Sequence, residues 1–520
     1  MKKKNEQWLR YSNRALSGLL MLFGFVSCDN GGGDIPVEYG MPSAKYRVKG
    51  KVIDADTQEP VPGIEVVTGA VHTGDGKEWL SYPDTLITDK DGAFATERTE
   101  FPSKKYRFIV RDVDGDANGT YSKDSVEVEA GGLQVAAIGT VEKQVLIKQL
   151  KSRRRQQKTM KNNSGRLSLR KRLGLEIALK IRNNLRELHP LRQLFWECTL
   201  QCNLACKHCG SDCRKMSEQK DMPAADFLQV VDSITPHVNP NEVNIIITGG
   251  EPLMRDDLEE VGMALYRKGY PWGIVSNGLY LTRERLDSLM AAGLHAVTIS
   301  LDGFAEEHNW LRGNPDSYEK ALEAIKMLVH EPELTWDVVT CVNRKNYSYL
   351  EELKAYLYTI GVRNWRIFTI FPVGRAANHP EFQLTDEEFT GVLEFIKKVR
   401  KEGRVHLSYG CEGFLGKYES EVRDHFYSCN AGISVASVLA DGSISSCPSI
   451  RSNFHQGNIY EDDFMEVWEK RFQVFRNREW ARKGECADCS FFRYCEGNGM
   501  HLHNDNGDLL FCHQKRIVEL

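Results

Sequence analysis

The chain has 520 residues, of which 41% are hydrophobic and 27% are charged, so it is globular and long enough for several domains. Its net charge of −4 gives no overall bias toward nucleic acid, and no nucleic-acid partner is predicted. All but Cys28 of the 14 cysteines lie after residue 197, which indicates two kinds of domain with different chemistry.

Residues 1–28 are predicted to be an export signal. Basic residues precede the apolar run ALSGLLMLFGFV at 15–26, which is shorter than the roughly twenty residues that a membrane-spanning helix needs. Ser27 and Cys28 resemble the lipobox of bacterial lipoproteins, which implies acylation of Cys28. The alternatives are an unmodified cysteine in an ordinary signal peptide and an uncleaved anchor. Residues 29–44 are predicted to form a tether.

Residues 45–147 contain short apolar strands separated by Pro, Gly and Asp, which predicts a small all-β sandwich with a hairpin turn at Asp91-Gly92. The pattern GKVIDADTQEPVPGIEVV, followed by TDKDGAFAT, resembles the carboxypeptidase-regulatory-like modules of exported bacterial proteins. No catalytic set of residues is visible in it. Residues 148–189 are predicted to be a basic linker and a helix, because no acidic residue lies between Glu142 and Glu176.

Residues 190–400 alternate apolar strands with amphipathic helices, which is typical of a parallel α/β sheet. The predicted strands cover 194–200, 243–250, 272–278, 295–303, 334–343 and 365–374. Six such units predict an incomplete parallel (β/α)6 TIM-like barrel. The chemistry of such a barrel lies where its strands end.

A cysteine triple, Cys202, Cys206 and Cys209, follows the first of these strands. Three thiolates on one loop can hold a [4Fe–4S] cluster and leave one iron without a protein ligand. The alternative is a structural zinc site, although a closed zinc site takes four ligands. Of the two flanking thiols, Cys198 is predicted to be a small core residue. The role of Cys213 is left open.

These motifs resemble the radical S-adenosylmethionine (SAM) superfamily over about residues 190–515. The resemblance implies that the open iron binds the methionine part of SAM and that an electron from the cluster releases a 5′-deoxyadenosyl radical, which abstracts a hydrogen from the substrate. The TGGEP, SNG and SLDG motifs that end the next three strands are implied to bind SAM, together with an arginine. The implied SAM contacts are Gly249, Gly250, Glu251, Ser276, Asn277, Ser300, Asp302 and Arg312. Arg375 of FPVGR is expected to face the same site.

Residues 401–520 carry a second cysteine set that resembles the SPASM extension of radical SAM enzymes that act on peptides and proteins. The implied ligands of one or two auxiliary [4Fe–4S] clusters are Cys411, Cys429, Cys447, Cys486, Cys489, Cys495 and Cys512. The last four form a complete quartet. The family pattern places a further cysteine at 499, where this chain has Gly, so the first cluster has an open position or another ligand, such as His501 or His503. Zinc or disulfides are the alternative for the whole set.

An export signal and iron–sulfur ligands favour different compartments, because clusters are assembled in a reducing cytosol. The catalytic part is expected to be cytoplasmic, whereas the N-terminal signal implies a membrane-anchored lipoprotein. One hypothesis is that residues 1–150 derive from a separate lipoprotein that was fused to an enzyme starting near Met160. The chain then resembles a Bacteroidetes system in which a radical SAM protein is encoded beside a small lipoprotein.

The predicted function is therefore a radical SAM enzyme that abstracts hydrogen from a peptide or protein and so modifies it. The fused or a neighbouring lipoprotein is the expected substrate or partner, and flavodoxin or ferredoxin the expected type of electron donor. One alternative is sulfatase maturation, in which a Cys or Ser is oxidised to formylglycine. An alternative of another class is a non-catalytic surface lipoprotein with a decayed iron–sulfur domain.

Overall fold

The computed structural model describes residues 2–23, 25, 44–52, 54, 60–74, 77–80, 84–100, 105–113, 124–129 and 167–519. The chain divides into two compact units, one of residues 42–166 and one that combines residues 1–41 with 167–520. Cys28, the predicted tether, Met160 and most of the predicted linker lie outside the described residues.

The unit of residues 42–166 is built from antiparallel strands. Their bounds are β1 (Ala44–Lys51), β2 (Ile64–Gly74), β3 (Lys77–Leu80), β4 (Asp84–Ile87), β5 (Ala93–Glu100), β6 (Lys105–Asp112) and β7 (Asp124–Glu129). β1 pairs with β5, while β3, β2, β6 and β7 form a second sheet in which β4 also pairs with β2. Val66, Val67 and Ile64 of β2 are buried, as the apolar residues of that segment predict.

The Asp91-Gly92 turn joins β4 to β5, but these strands do not form the predicted hairpin. The Asp89 carboxylate accepts hydrogen bonds from the backbone N–H groups of Asp91 and Ala93. Gly92 has φ +68°, which favours glycine. The turn is therefore tight, yet β4 pairs with β2 and β5 pairs with β1. Pairing with segments that are distant in the sequence therefore places β4 and β5 in different sheets, although a tight turn connects them.

The other unit contains a mostly parallel sheet of ten described strands. They are β8 (Gln193–Thr199), β9 (Asn244–Gly249), β10 (Trp272–Ser276), β11 (Leu294–Ser300), β12 (Thr335–Val342), β13 (Asn364–Thr369), β14 (His406–Tyr409), β15 (Val435–Val438), β16 (Ser443–Ser445) and β17 (Gly457–Asn458). Their order is β14-β13-β12-β11-β10-β9-β8-β15-β16-β17. The strands from β14 to β15 are parallel, and β16 and β17 are added antiparallel.

The six strands predicted from the sequence correspond to β8–β13, which confirms the α/β fold class. All seven residues of β8 are buried, as expected for a strand covered on both faces. β14 and β15 were not predicted. Each has only four residues, which is too short for a periodicity signal. β15 pairs with β8 and so extends the sheet beyond the six predicted units.

Helices connect the strands and cover the sheet. Their bounds are α1 (Lys2–Leu22), α2 (Leu169–Leu188), α3 (Ala224–Ile234), α4 (Leu258–Arg267), α5 (Arg283–Ala291), α6 (Ala305–Arg312), α7 (Ser317–Leu328), α8 (Leu350–Thr359), α9 (Asp386–Glu402), α10 (Phe464–Lys470), α11 (Gln473–Arg476) and α12 (Phe492–Cys495). The Thr385 hydroxyl and the Glu388 carboxylate form a capping box that starts α9. Phe227 of α3 stacks on Trp196 of β8 with ring centroids 4.5 Å apart, which fixes α3 on the sheet.

Most of the predicted signal segment forms α1, whose buried face includes Leu9, Asn13 and Leu20. This face lies on α2, where the Asn184 amide donates a 2.6 Å hydrogen bond to the side-chain oxygen of Asn13. Among the described residues, no helix combines the length and the apolar character required to cross a membrane. The signal peptide and the lipid anchor therefore stay predictions.

Candidate active site

Three thiols lie on one loop at the carboxyl end of β8. Cys202 and Cys206 are buried, Cys209 is partly buried, and none of the three is in a disulfide. The pKa of Cys202 is raised to about 12, chiefly by burial and to a smaller extent by the nearby Cys206 and Cys209 thiols. The structure thus brings together the three residues that the sequence motif singled out.

Two polar side chains contact these sulfurs. The Arg312 Nη1 atom lies 3.7 Å from the Cys206 sulfur, and the Asn277 Nδ2 atom lies 3.9 Å from the Cys202 sulfur. The same Asn277 amide donates a 2.7 Å hydrogen bond to the side chain of Asn203 on the loop. Both contacts place a donor against a sulfur that would carry negative charge as a thiolate.

Cys213, whose role the sequence left open, lies beside Cys209. A hydrogen bond between the two thiols is the largest cause that lowers the pKa of Cys209, which falls to about 5. The same contact raises the pKa of Cys213. The two thiols are therefore close enough to share a hydrogen bond, which favours the thiolate form at Cys209.

The FPVGR segment holds the cysteine loop from one side. The Arg375 guanidinium donates hydrogen bonds to the carbonyls of Cys206 at 2.7 Å and Cys213 at 2.8 Å. At Gly374, which has φ +59°, a Cβ would lie 2.4 Å from the Gly210 carbonyl oxygen. Arg375 does lie at the predicted site, where it positions the loop.

The two glycines after β9 lie against the other side of the loop. A Cβ at Gly249 would lie 2.2 Å from the carbonyl oxygen of Thr199, and one at Gly250 would lie 1.9 Å from that of Gln201. Gly250 N also donates a 2.7 Å hydrogen bond to Thr199 O. The Gly pair is thus required by the close approach of the cysteine loop, which the sequence had explained only by the approach of a ligand.

Glu251 connects the ends of β9 and β10. Its buried carboxylate accepts hydrogen bonds from the Ser276 hydroxyl at 2.9 Å and from the Asn277 backbone N–H at 2.8 Å. Burial raises the pKa of Glu251 to about 7, although these hydrogen bonds act against the shift. Three of the predicted SAM contacts therefore form one hydrogen-bonded group next to Cys202.

Asp302 and Arg312 form a second group after β11. The Arg312 Nε atom donates a 2.6 Å hydrogen bond to the Asp302 carboxylate, and both side chains are buried. Burial opposes ionisation of Asp302, but Arg312 lies so close that the pKa of Asp302 falls below its usual range. Ser300 is the last residue of β11 and lies at the same edge of the sheet. Seven of the eight predicted SAM contacts thus lie at the carboxyl ends of β9, β10 and β11 or just after them, and Arg312, the last residue of α6, reaches them through its ion pair with Asp302.

Four cysteines of the C-terminal region lie around one pocket. Cys486, Cys489, Cys495 and Cys512 line it together with Phe414 and Phe492. The neighbouring thiols Cys512 and Cys486 raise the pKa of Cys495 in addition to burial. The quartet that the sequence identified as complete is therefore gathered in space.

Of the remaining predicted ligands, Cys411 and Cys429 lie near Tyr427. Burial raises the pKa of Tyr427, and the Cys429, Cys495 and Cys411 thiols are close enough to raise it further. The backbone N–H of Gly499 donates to the carbonyl oxygen of Glu412, the residue after Cys411. The 499 position therefore lies next to the chain that carries Cys411.

Several residues of this region were missed by sequence reasoning because only the tertiary structure brings them together. Arg451 donates a 2.6 Å hydrogen bond to Glu197 of β8 and also contacts Ser211 of the cysteine loop. The Cys341 thiol of β12 is close enough to Asp302 and Cys206 for both to raise its pKa, although burial is the larger cause. Nothing in the sequence around them signals these contacts.

A buried carboxyl, Glu412, was also missed. It accepts a 2.7 Å hydrogen bond from the backbone N–H of Thr369, and the Tyr409 hydroxyl donates to it as well. The His513 Nε2 atom lies 3.4 Å from the same carboxylate. This group joins the ends of β13 and β14 to the C-terminal cysteine region.

Within the described part of the chain, no three His, Cys, Asp or Glu side chains are grouped closely enough to hold a single metal ion. The donors at both sites are nevertheless soft sulfur atoms of buried or partly buried cysteines, the donor type that iron–sulfur clusters take. The residues present therefore fit clusters of this kind.

Two family models match the chain. The model of the Radical SAM superfamily matches residues 196–357, and the SPASM model, an iron-sulfur cluster-binding domain, matches residues 429–490. The first match spans β8–β12 with the cysteine loop. The second begins at Cys429 and ends after Cys489.

Two curated relatives match more than half of this chain. The AdoMet-dependent heme synthase of Oleidesulfovibrio alaskensis is 28% identical over 324 residues, which are 59% of this chain and 82% of the relative. The mycofactocin maturase MftC of Mycolicibacterium smegmatis is 32% identical over 331 residues, which are 59% of this chain and 77% of the relative.

A solved structure with a similar fold is Streptococcus suis SuiB bound to the precursor peptide SuiA. Its TM-score is 0.51 at 14% identity, and the match covers 68% of this chain and 84% of SuiB.

Proposed function

Because this chain belongs to the radical SAM superfamily and carries a SPASM domain, we propose that it abstracts hydrogen from a peptide or protein and so modifies it. Its cofactors are SAM and [4Fe–4S] clusters. When bound, the cluster supplies the electron that cleaves SAM, and SAM supplies the radical that abstracts the hydrogen.

The observation that carries this proposal is the arrangement around the cysteine loop. Cys202, Cys206 and Cys209 would hold the cluster, with the Arg312 guanidinium and the Asn277 amide against two of the sulfurs. Such contacts orient the ligands and set the reduction potential. Arg375 and the Gly249-Gly250 pair hold the loop in place from two sides.

Glu251, Asp302 and Arg312 are proposed to bind the methionine part of SAM. Asp302 and Arg312 already pair with each other, and Glu251 accepts three hydrogen bonds. Charged groups that are held in this way do not have to reorganise when a zwitterionic ligand arrives.

A peptide or protein is proposed as the substrate on two grounds. One curated relative is named as a maturase, and the C-terminal region matches the SPASM model. The β unit of residues 42–166 is the proposed substrate or partner, because it is part of the same chain and its sequence contains no recognisable catalytic motif. The electron donor is proposed to be a low-potential protein such as flavodoxin or ferredoxin.

The test uses the full chain, reconstituted with iron and sulfide without oxygen and reduced in the presence of SAM. Release of 5′-deoxyadenosine is expected, and Cys206→Ala should abolish it. Cys213→Ala removes a thiol of the same loop that is not a predicted ligand and should retain release. Absence of release from a fully iron-loaded protein would refute the proposal.

The product is sought by mass spectrometry of the same reactions. A mass change within residues 29–150 would identify the attached β unit as the substrate. Conversion of a Cys or Ser to formylglycine in an added peptide would instead support the sulfatase-maturation alternative.

A second candidate function is a step in heme synthesis. It is favoured by the 28% identity to an AdoMet-dependent heme synthase over 324 residues. An added porphyrin should then stimulate release of 5′-deoxyadenosine, whereas an isolated β unit should not. The opposite pattern would support the peptide or protein substrate.

A further inference from the structure

The auxiliary cysteine set has one complete quartet and one incomplete set. Cys486, Cys489, Cys495 and Cys512 share a pocket. Of the seven predicted auxiliary ligands, Cys411, Cys429 and Cys447 therefore remain as candidates for a further cluster. A closed four-iron cluster takes four protein ligands. The fourth position of the SPASM pattern is 499, and Gly499 has no side chain to offer.

The space that a side chain at 499 would fill is taken by His501. A Cβ built on Gly499 would lie 2.6 Å from the Cε1 atom and 2.9 Å from the Nδ1 atom of the His501 ring. It would also lie 2.9 Å from the carbonyl oxygen of Glu412, next to Cys411. The imidazole of His501 therefore lies where the side chain of the absent cysteine would begin.

The His501 ring has an unused nitrogen at this place. Its side chain is 8% exposed, and within the described residues its Nε2 atom is buried without a hydrogen-bond partner. A buried polar atom without a partner costs about 1–3 kcal/mol, so such an atom usually has a ligand or a water. Neutral imidazole is a common metal ligand through either ring nitrogen.

His503, the other histidine of this segment, is placed differently. Its Nδ1 atom lies 3.3 Å from the Gly499 carbonyl oxygen, and its ring packs edge-on against Trp480 at 5.1 Å. Its Nε2 atom would contact a Cβ at Gly497 at 3.2 Å. The geometry therefore distinguishes the two histidines.

We propose that the imidazole of His501 replaces the missing thiolate and is the fourth ligand, with Cys411, Cys429 and Cys447, of an auxiliary iron–sulfur cluster. This inference rests on the proposed function, because it requires a SPASM domain that holds clusters. Replacement of a thiolate by a neutral imidazole raises the reduction potential of a cluster, as in proteins with mixed histidine and cysteine ligation.

His501 lies close to the segment that holds the radical SAM cysteine loop. The ring of Phe371, from the FPVGR segment that holds the cysteine loop, lies 4.8 Å from the His501 ring. Phe371 is also 4.0 Å from the Cβ that Gly210 of the loop would have. An auxiliary cluster bound by His501 would therefore adjoin the segment that holds the radical SAM loop.

The experiment uses full-length chain in which Cys202, Cys206 and Cys209 are all replaced by Ala, so that only auxiliary clusters bind. After anaerobic reconstitution and reduction, pulsed EPR is used to detect coupling between the reduced cluster and a ligand nitrogen. Coupling is expected in this background. It should be lost in His501→Ala and kept in His503→Ala, the matched control.

Iron content supplies a second measurement. His501→Ala should lose one cluster's share of iron or hold that cluster less tightly, as Cys447→Ala should. Gly499→Cys combined with His501→Ala frees the space and restores a thiol, so it should regain the iron without the nitrogen coupling. This rescue separates loss of a ligand from misfolding.

Two outcomes would overturn the inference. In one, Cys447→Ala loses a cluster while His501→Ala keeps both the iron and the nitrogen coupling. In the other, the background protein holds no cluster beyond that of the quartet. Release of 5′-deoxyadenosine by the unmodified chain tests the proposed function separately and does not depend on either result.

Discussion

At the scale of single residues, the site depends on buried charges that hold one another. Asp302 is fully buried and pairs with Arg312, which also contacts the Cys206 sulfur. Removing one partner of a buried ion pair leaves the other charge without compensation, which costs more than the pair contributes.

Arg312→Met should therefore destabilise the chain by about 3–5 kcal/mol. The double variant Asp302→Asn with Arg312→Met should cost less, because no buried charge is then left alone. Denaturant unfolding measures both. Lys320→Met, which breaks an exposed ion pair with Glu323, is the control and should show no measurable change. If the single and the double variant lost the same unfolding free energy, this explanation would be wrong.

Glu251 predicts a dependence of stability on pH. Because burial raises its pKa from 4.5 to about 7, the folded state keeps a proton that the unfolded chain releases. The stabilisation that the retained proton on Glu251 contributes to the folded state is fully present below pH 4.5. It is lost as the pH rises through about 7.

Relative to Glu251→Gln, the unmodified metal-free protein should lose about 3 kcal/mol of unfolding free energy across this range. Urea unfolding of both proteins at a series of pH values gives the difference. Parallel stability curves for the two proteins would show that the carboxyl does not titrate in this way.

The sequence singled out the candidate cysteine ligands and the motif residues because their spacing is local. It did not identify Arg451, Glu197 or Cys341, since each acts through a partner far away in the chain. Cys213 was only partly predictable. The sequence shows that it follows the motif closely, but its hydrogen bond to Cys209 depends on how the loop folds.

At the scale of secondary-structure elements, the strongest periodic patterns were the most reliable. The six predicted strands are β8–β13, whereas β14 and β15 were missed because each has four residues. The Asp91-Gly92 turn was predicted correctly, yet the partners of the strands on each side were not. A local pattern specifies a turn, and long-range pairing specifies the sheet.

The N-terminal helix α1 gives a prediction at this scale. Asn13 and Asn184 are 1% and 3% exposed and hydrogen bond to each other at 2.6 Å. Asn13→Ala should cost roughly 1–3 kcal/mol, because the buried Asn184 amide then has no acceptor. Tyr11 lies on the solvent side of the same helix and is 72% exposed, so Tyr11→Ala is the control and should leave the free energy of unfolding unchanged.

Thermal unfolding of the two variants measures this difference. An equal melting temperature for both would mean that α1 is not docked in the protein as expressed. That is the result expected if the segment is removed as a signal peptide.

At the scale of the whole molecule, all the residues of the candidate site lie in the unit of residues 1–41 and 167–520. A chain lacking residues 45–147 should therefore load the same amount of iron and bind SAM with unchanged affinity. Iron analysis and calorimetry measure these two quantities. A large loss of SAM affinity in a well-loaded protein would show that the β unit contributes to the site.

The sequence by itself determined the family and the six principal strands and singled out the candidate cysteine ligands, because spacing along a loop and period along a strand are local properties. Only the tertiary structure decided that the Gly pair packs on the cysteine loop and that Arg375 holds it. It also decided which histidine fills the space beside Gly499. These contacts join segments far apart in the chain, and their geometry exists only after the sheet has brought the strand ends together.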